Sequence, residues 1–334
     1  MLREAGARKR WFPLTVLGLL AVVVAGCAVR ANRSPSSWDG IAYVAMGPGK
    51  AVSVVDLDVG RVISRLPVSV ESHGVAVTWD GRLIFVADLW KGDALEVVDV
   101  ASGTVTGRVP VGRGSHHLTL SPDGRRLSVT RSAEGRLAIV DVESMRTASD
   151  LETGAGANYA VFSPDGGTVY VSNMEANEIV VIDVAASRVT NRIPVKEAPG
   201  HMVLSLDGQH LYVANEGSGT LAVIDTTNGE VIARIQVGKE PHGVAVSPDG
   251  MRVYVSSRQE GTVSEIDTTT LGIRRTVKVG SGPEHVEITP DGARIVVTRP
   301  EAGELVVLDA ERLFAERMIP VGKEPHQIVL APRP

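Results

Sequence analysis

The sequence predicts an all-β fold, a β-propeller of seven blades with four antiparallel strands in each, and three observations carry that reading. Seven aspartates recur at a near-constant step, Asp56, Asp99, Asp141, Asp183, Asp225, Asp267 and Asp309, first 43 and then 42 residues apart. Asp-Gly turns repeat with the same period at Asp80, Asp123, Asp165, Asp207, Asp249 and Asp291. No helical period persists beyond residue 40. A period near 40 residues marks stacked supersecondary units that cannot bury their faces alone. Four strands per unit, repeated radially, make a propeller blade.

The unit at 242–279 shows the plan. His242-Gly243-Val244-Ala245-Val246 alternates as a strand and runs into a turn at Ser247-Pro248-Asp249-Gly250. Val253-Tyr254-Val255-Ser256 is the second strand, and Thr262-Val263-Ser264-Glu265-Ile266, closed by Asp267, is the third. Residues 274–279 form the fourth, before Gly280 to Pro283 break the pattern. A bulky position in the second strand recurs as Tyr43, Phe85, Tyr170, Tyr212 and Tyr254, with Ser128 and Val296 in the other two units. The domain opens on a second-type strand (Ile41-Ala42-Tyr43-Val44) and finishes on a first-type one, 326–330. The last strand is therefore expected to complete the first blade from its inner side, removing the open edges.

Ahead of this domain, Arg3, Arg8, Lys9 and Arg10 precede an apolar stretch from Trp11 to Val24. Val24-Ala25-Gly26-Cys27 resembles the lipobox of bacterial lipoproteins. That resemblance implies a signal peptide over 1–27, lipid attachment at Cys27 and a membrane anchor facing the periplasm or cell surface. An uncleaved anchor is the alternative, since Trp11 to Val29 is just long enough to span a bilayer. Residues 28–39 read as a flexible tether. Cys27 is the single cysteine, so a domain over 40–334 holds no disulfide, no Cys–metal site, no c-type haem attachment and no thiolate nucleophile. A formal net charge of −5 argues against nucleic acid as a partner. One ring of this size is expected to be a monomer.

Tyr212-Val213-Ala214-Asn215, Val223-Ile224-Asp225, Ile235-Gln236-Val237-Gly238 and the run from Pro241 to Gly250 resemble the YVTN-type propeller repeat. The resemblance covers nearly all of 40–334 and implies the fold. Its relatives include surface proteins, lactonases, the haem-carrying propeller of nitrite reductase with its assembly proteins, and the copper propeller of nitrous oxide reductase. Function on such a scaffold has to be argued from the site.

Comparing the seven repeats with one another locates a candidate site. The Asp-Gly turns are nearly uniform, whereas the loops between second and third strands differ, as in the 88–93 segment DLWKGD. Those loops share a face with the heads of the innermost strands, here called the top face. His73, His116, His242 and His326 lie seven residues before the turn position, and His117, His201 and His285 six before it. Innermost strands line the central channel, so the seven imidazoles are expected around its mouth as candidate ligands for Cu, Zn, Fe or Ni, and the resemblance implies copper or haem as the cofactor. An adjacent pair like His116-His117 and a Pro-His-Gly like Pro241–Gly243 are similar to the copper hub of nitrous oxide reductase, although the cysteine-rich second domain of that enzyme has no counterpart here. A purely structural role, bonding the inter-blade loops, stands beside this reading, and one-residue offsets on a strand ordinarily send side chains to opposite faces.

Arg131, Arg299 and Arg258, on the same face, are candidates to clamp carboxylates or phosphates, and the resemblance to the nitrite-reductase propeller implies the carboxylates of a haem, although glutamates in those loops offer to neutralise them. Trp79 and Trp90 are candidate contact points for a partner. Three functions follow: a membrane-tethered module that binds a protein or small ligand through its top face, a metal- or haem-binding propeller serving respiratory cofactors, and a lactonase-like hydrolase. No nucleophile–base–orienter set recommends the third.

Overall fold

The computed structural model describes residues 40–334 apart from 196, 332 and 334. The expected signal peptide over 1–27 with Cys27 and the expected tether over 28–39 lie outside the described residues. Within them, 28 strands, numbered β1–β28 in chain order, form seven four-stranded antiparallel sheets. The unit read from the sequence appears as β20 (Pro241–Val246), β21 (Arg252–Ser257), β22 (Thr262–Asp267) and β23 (Ile273–Lys278), each within a residue or two of expectation.

The ring closes as expected. The first sheet has the order β28-β1-β2-β3, where β28 is Ile328–Ala331, β1 is Ile41–Ala45, β2 is Ala51–Asp56 and β3 is Arg61–Pro67. Val44 faces Ile328 and Ile41 faces Ala331 across that join. The observed β28 begins two residues later than the sequence pattern suggests, because His326 and Gln327 both bond Ala45, His326 through its N–H (2.9 Å) and Gln327 through its carbonyl (3.0 Å), and so break the regular ladder.

The repeated aspartates have a local job. Each accepts a hydrogen bond on Oδ1 from a backbone N–H two or three residues on, as Asp56 does from Val59 (2.8 Å) and Asp267 from Thr270 (2.8 Å). The same bond recurs at Asp99, Asp141, Asp183, Asp225 and Asp309. This Asx turn ends the third strand and starts the fourth. At the opposite hairpin, the Asp of each Ser/Thr-x-Asp-Gly accepts from the hydroxyl two residues earlier. Burial lies between blades. Seven apolar clusters among the described residues each join two neighbouring blades, and Tyr43, Phe85 and Tyr254 are fully buried in them.

Candidate functional site: the channel mouth

The innermost strands are β4 (Ser72–Val77), β8 (Ser115–Leu120), β12 (Ala157–Phe162), β16 (Pro199–Leu204), β20, β24 (Val286–Ile288) and β28. In β4, β8, β12, β16 and β20 the pairing register slips near the head of the strand, so two residues face one on the partner. In β8 these are His116 and His117, and in β12 Asn158 and Tyr159. Such a bulge re-aims side chains. It is why residues at both offsets reach the channel, where strict alternation would have sent half of them into the blades.

The bulge also leaves backbone amides to satisfy, and hydroxyls on the second strand do so. His117 N–H donates to Thr130 Oγ1 (3.0 Å), Tyr159 N–H to Ser172 Oγ (3.1 Å), Gly243 N–H to Ser256 Oγ (2.8 Å) and His285 N–H to Thr298 Oγ1 (3.0 Å).

All seven predicted histidines come together, in two tiers. The outer tier holds His73, His116, His242 and His326. The His73 ring stacks on His326 (centroids 4.5 Å) and tilts against His116 (4.6 Å). The inner tier holds His117, His201 and His285 around Tyr159, with centroids 4.8, 4.7 and 6.0 Å from the phenol ring. Tyr159, at the one channel position without a histidine in its pair, is 2% exposed and plugs the channel. Gln327 completes this tier by binding across blades: its amide donates to Leu118 O (2.9 Å) and its carbonyl accepts from Val75 N–H (3.1 Å).

Hydrogen-bond partners set the tautomers. His73 Nδ1 faces the carbonyl of His116 (3.2 Å) and His116 Nδ1 that of Asn158 (3.0 Å). A carbonyl only accepts, so both Nδ1 atoms carry the proton and both Nε2 atoms keep a bare lone pair. The Thr119 hydroxyl donates to Ala160 O, so it accepts from His117 Nδ1 (3.2 Å). His201 is the reverse, because Val244 N–H donates to its Nδ1 (3.1 Å). Glu216, His242 and Tyr159 form a chain: His242 Nδ1 lies 3.0 Å from Glu216 Oε1 and its Nε2 2.9 Å from Tyr159 Oη.

Burial sets the charge. It lowers His73 to about 4 and His117 to about 3, and holds His116, His201 and His285 well below the ordinary imidazole value, neighbouring imidazoles adding to the effect. Burial likewise pushes the Tyr159 phenol well above its ordinary value, so the Glu216–His242–Tyr159 chain holds a neutral phenol, not a nucleophile. Glu284 differs. Burial raises its carboxyl, but His326, His242 and Arg258 around it more than offset this and hold it below the usual range.

Two of the three arginine candidates are not open clamps. Arg131 is buried, bonded to Glu134 (2.6 Å) and to Asp150. Arg299 bonds Glu304 (2.5 Å) and Ser281 O (3.1 Å). Each packs over a glycine of the preceding linker, Gly112 (φ 93°) and Gly280 (φ 99°), where a Cβ would overlap the guanidinium. Loop glutamates and the missing Cβ make them clips between blades. Arg258 alone stays at the mouth, paired with Glu284 (3.1 Å). Arg131→Ala is therefore expected to cost roughly 2 kcal/mol by opening a cavity over Gly112, although the exposed Asp150 keeps its bond to Arg136 (2.9 Å), and Arg258→Ala less than about 1 kcal/mol. Urea denaturation of the two variants checks the contrast.

The outer tier offers bare Nε2 donors at His73 and His116. Among the described residues, no three His, Asp or Glu side chains are grouped to hold one metal ion. The rings lie against one another, and Tyr159 occupies the centre where the inner-tier donors would otherwise converge. A group needing a single axial imidazole fits this arrangement better than a tetrahedral ion does. Trp79 and Trp90 are both largely exposed. Trp79 lies by the Asp-Gly turns on the far rim, its Nε1 donating to Ser121 O (3.1 Å), while Trp90 sits in the second-to-third-strand loop of the top face.

Two family models match parts of the chain: YNCE-like beta-propeller over 132–250 and Cytochrome D1 heme domain over 206–333. The second span contains His242, Arg258, Glu284, His285 and His326. No curated protein matches. Among solved structures, a chain of Kuenenia stuttgartiensis hydrazine synthase is 21% identical with a TM-score of 0.72, covering 85% of this chain and 99% of that one. A putative 6-phosphogluconolactonase of Bacteroides fragilis is 16% identical with a TM-score of 0.75, covering 90% and 100%. The dihydro-heme d1 dehydrogenase NirN in complex with DHE is 20% identical with a TM-score of 0.63, covering 90% and 76%. At these identities the structural likeness establishes the fold, a β-propeller, and nothing finer.

Proposed function

We propose that the protein is an exported, lipid-anchored propeller that acts as a binding module through its imidazole-lined mouth and carries out no reaction of its own. One observation carries this reading. The bulged heads of β4, β8, β16 and β20, with the segments entering β24 and β28, bring seven imidazoles in two tiers to one opening, with bare acceptor nitrogens on His73 and His116 and the Glu284–Arg258 pair beside them. That surface recognises a small ligand presenting N–H or O–H donors. Against catalysis, the best-ordered chain of ionisable groups ends in a buried phenol that stays protonated. The test is a thermal-shift screen of small metabolites. Ligands that raise the melting temperature of the wild type are expected to lose their effect in His73→Ala and His326→Ala and keep it in Asp165→Ala, at the far rim. Stabilisation indifferent to both mouth substitutions would overturn the proposal.

A second reading, haem or copper binding, is favoured by the Cytochrome D1 heme domain match over the segment that supplies His242, Arg258 and His326. His73 or His116 would be the axial ligand, and Arg258 the partner for a porphyrin carboxylate. Titration with haemin, followed by the Soret band, and with copper(II), followed by metal analysis after desalting, decides it. Stoichiometric uptake lost in His73→Ala and His116→Ala supports the reading, and a colourless, metal-free protein removes it.

A further inference from the structure

Below the inner tier lies a cavity of about 430 Å³, lined toward the far rim by Trp79 and Pro248. Its ceiling is His117, His201 and Gln327. The equivalent places around its wall are apolar in five blades, Ala76, Val161, Val203, Ala245 and Val329, and in a sixth hold Thr119, whose hydroxyl bonds Ala160 O. One blade breaks the pattern and puts Glu287 there, on β24.

The Glu287 carboxyl has neither a hydrogen-bond nor an ion-pair partner among the described residues, in a fold that pairs its other deeply placed acids. Glu96 meets Arg108 and Ser69, Glu265 meets Arg275, and Glu284 meets Arg258. No lysine or arginine lines the cavity, and its other titratable groups, His117 and His201, are neutral. A lone carboxyl in an apolar chamber is costly to the fold alone. It becomes favourable when a ligand supplies the missing cation.

We propose that this lower chamber is a binding site, separate from the mouth, for a small amine: an ammonium group on Glu287 with an aliphatic or aromatic body against the Val161–Val203–Val329 wall. The volume lies within the range of small-molecule sites. Without ligand, burial raises the Glu287 carboxyl to about 8, so at pH 7 it is largely protonated. An ammonium ligand draws it into the carboxylate form and releases that proton. Affinity then rises with pH, close to tenfold from 6 to 7 and about fivefold from 7 to 8, as the carboxylate fraction grows. His117 and His201 do not titrate in that window.

Isothermal titration with 2-phenylethylamine, and with its neutral isostere 2-phenylethanol, tests this on the intact chain. Expected are binding of the amine and little of the alcohol, release of nearly one proton at pH 7 read from the enthalpy difference between phosphate and Tris buffers, and at least a tenfold loss in Glu287→Gln. That variant is isosteric, and circular dichroism confirms that it folds. Lys91→Ala, on an exposed loop of the top face, is expected to leave amine binding unchanged. The chamber is read with the amine and Glu287 and the mouth with His73 and His326, so failure here is distinguishable from failure of the mouth as a binding site. Equal binding of alcohol and amine, unaltered binding in Glu287→Gln, loss in Lys91→Ala, or no binding of the amine overturns the proposal.

Discussion

Acidification from pH 7.5 to 5 is expected to strip the protein of most of its stability. Five imidazoles, those of His73, His116, His117, His201 and His285, are held neutral by burial, two of them at about 4 and about 3. In the unfolded chain they titrate near the ordinary value of about 6.5. Between that value and their folded ones the unfolded chain binds protons that the folded one refuses, so stability falls as pH falls. Each group contributes roughly 1.4 kcal/mol per pH unit below that point. Glu287 works in the opposite direction. Its raised carboxyl makes the folded state the better proton binder from the ordinary glutamate range up to about 8, and so offsets one histidine. Four net protons amount to about 5 kcal/mol per unit, against a typical reserve of about 5–15 kcal/mol. Urea midpoints at pH 7.5, 6 and 5 read this directly. His285→Gln is expected to reduce the slope by about one proton. A midpoint that does not move down to pH 5 would mean that the imidazoles are solvated and the two-tier hub is wrong.

Removal of residues 325–334 is expected to leave a protein that does not close. The truncation takes away β28, uncovers the inner edge of β1 and deletes Ile328 from the cluster shared by the first and last blades. It also deletes Gln327, stranding Val75 N–H and the Leu118 carbonyl in neighbouring blades. An exposed ladder edge of this kind recruits other chains, so aggregation or a large rise in hydrogen exchange over 41–45 is the expected result. A synthetic peptide of 325–334 supplied in trans is expected to restore a monomeric peak on gel filtration by adding back as a strand. The point variant Ile328→Asp keeps the backbone pairing but buries an unpaired charge, at a cost of roughly 3–5 kcal/mol. Wild-type stability in either variant would show that closure contributes little.

The repeat was legible because its parts are local. An aspartate that caps its own turn, or a Ser-x-Asp-Gly that bonds its own hydroxyl, needs no other blade, so Asp56 to Asp309 announced the blades at sight. The site was legible by position but not by role. Histidine numbering placed the imidazoles at one opening. It did not show that Arg131 and Arg299 are spent on interior clips, since their partners Asp150 and Glu304 become partners only when strands pair. Glu216 could have been found, because it holds the same repeat position as Arg258 and differs from it in charge. Glu287 could have been found too, as an acid among valines and alanines at equivalent places.

The sequence by itself determined seven blades, their strand order and the strand that closes the ring, because each rests on turns and alternation within a few residues. Only the tertiary structure decided that histidines at two different offsets share one channel. That outcome depends on bulges whose extra amides are satisfied from the neighbouring strand, by Thr130, Ser172, Ser256 and Thr298. It also decided which charges are free. Whether an arginine or glutamate finds a partner depends on which strands pair within a blade, as for Arg131 with Asp150, or on the neighbouring repeat, as for Arg258 with Glu284, and no single strand encloses either contact.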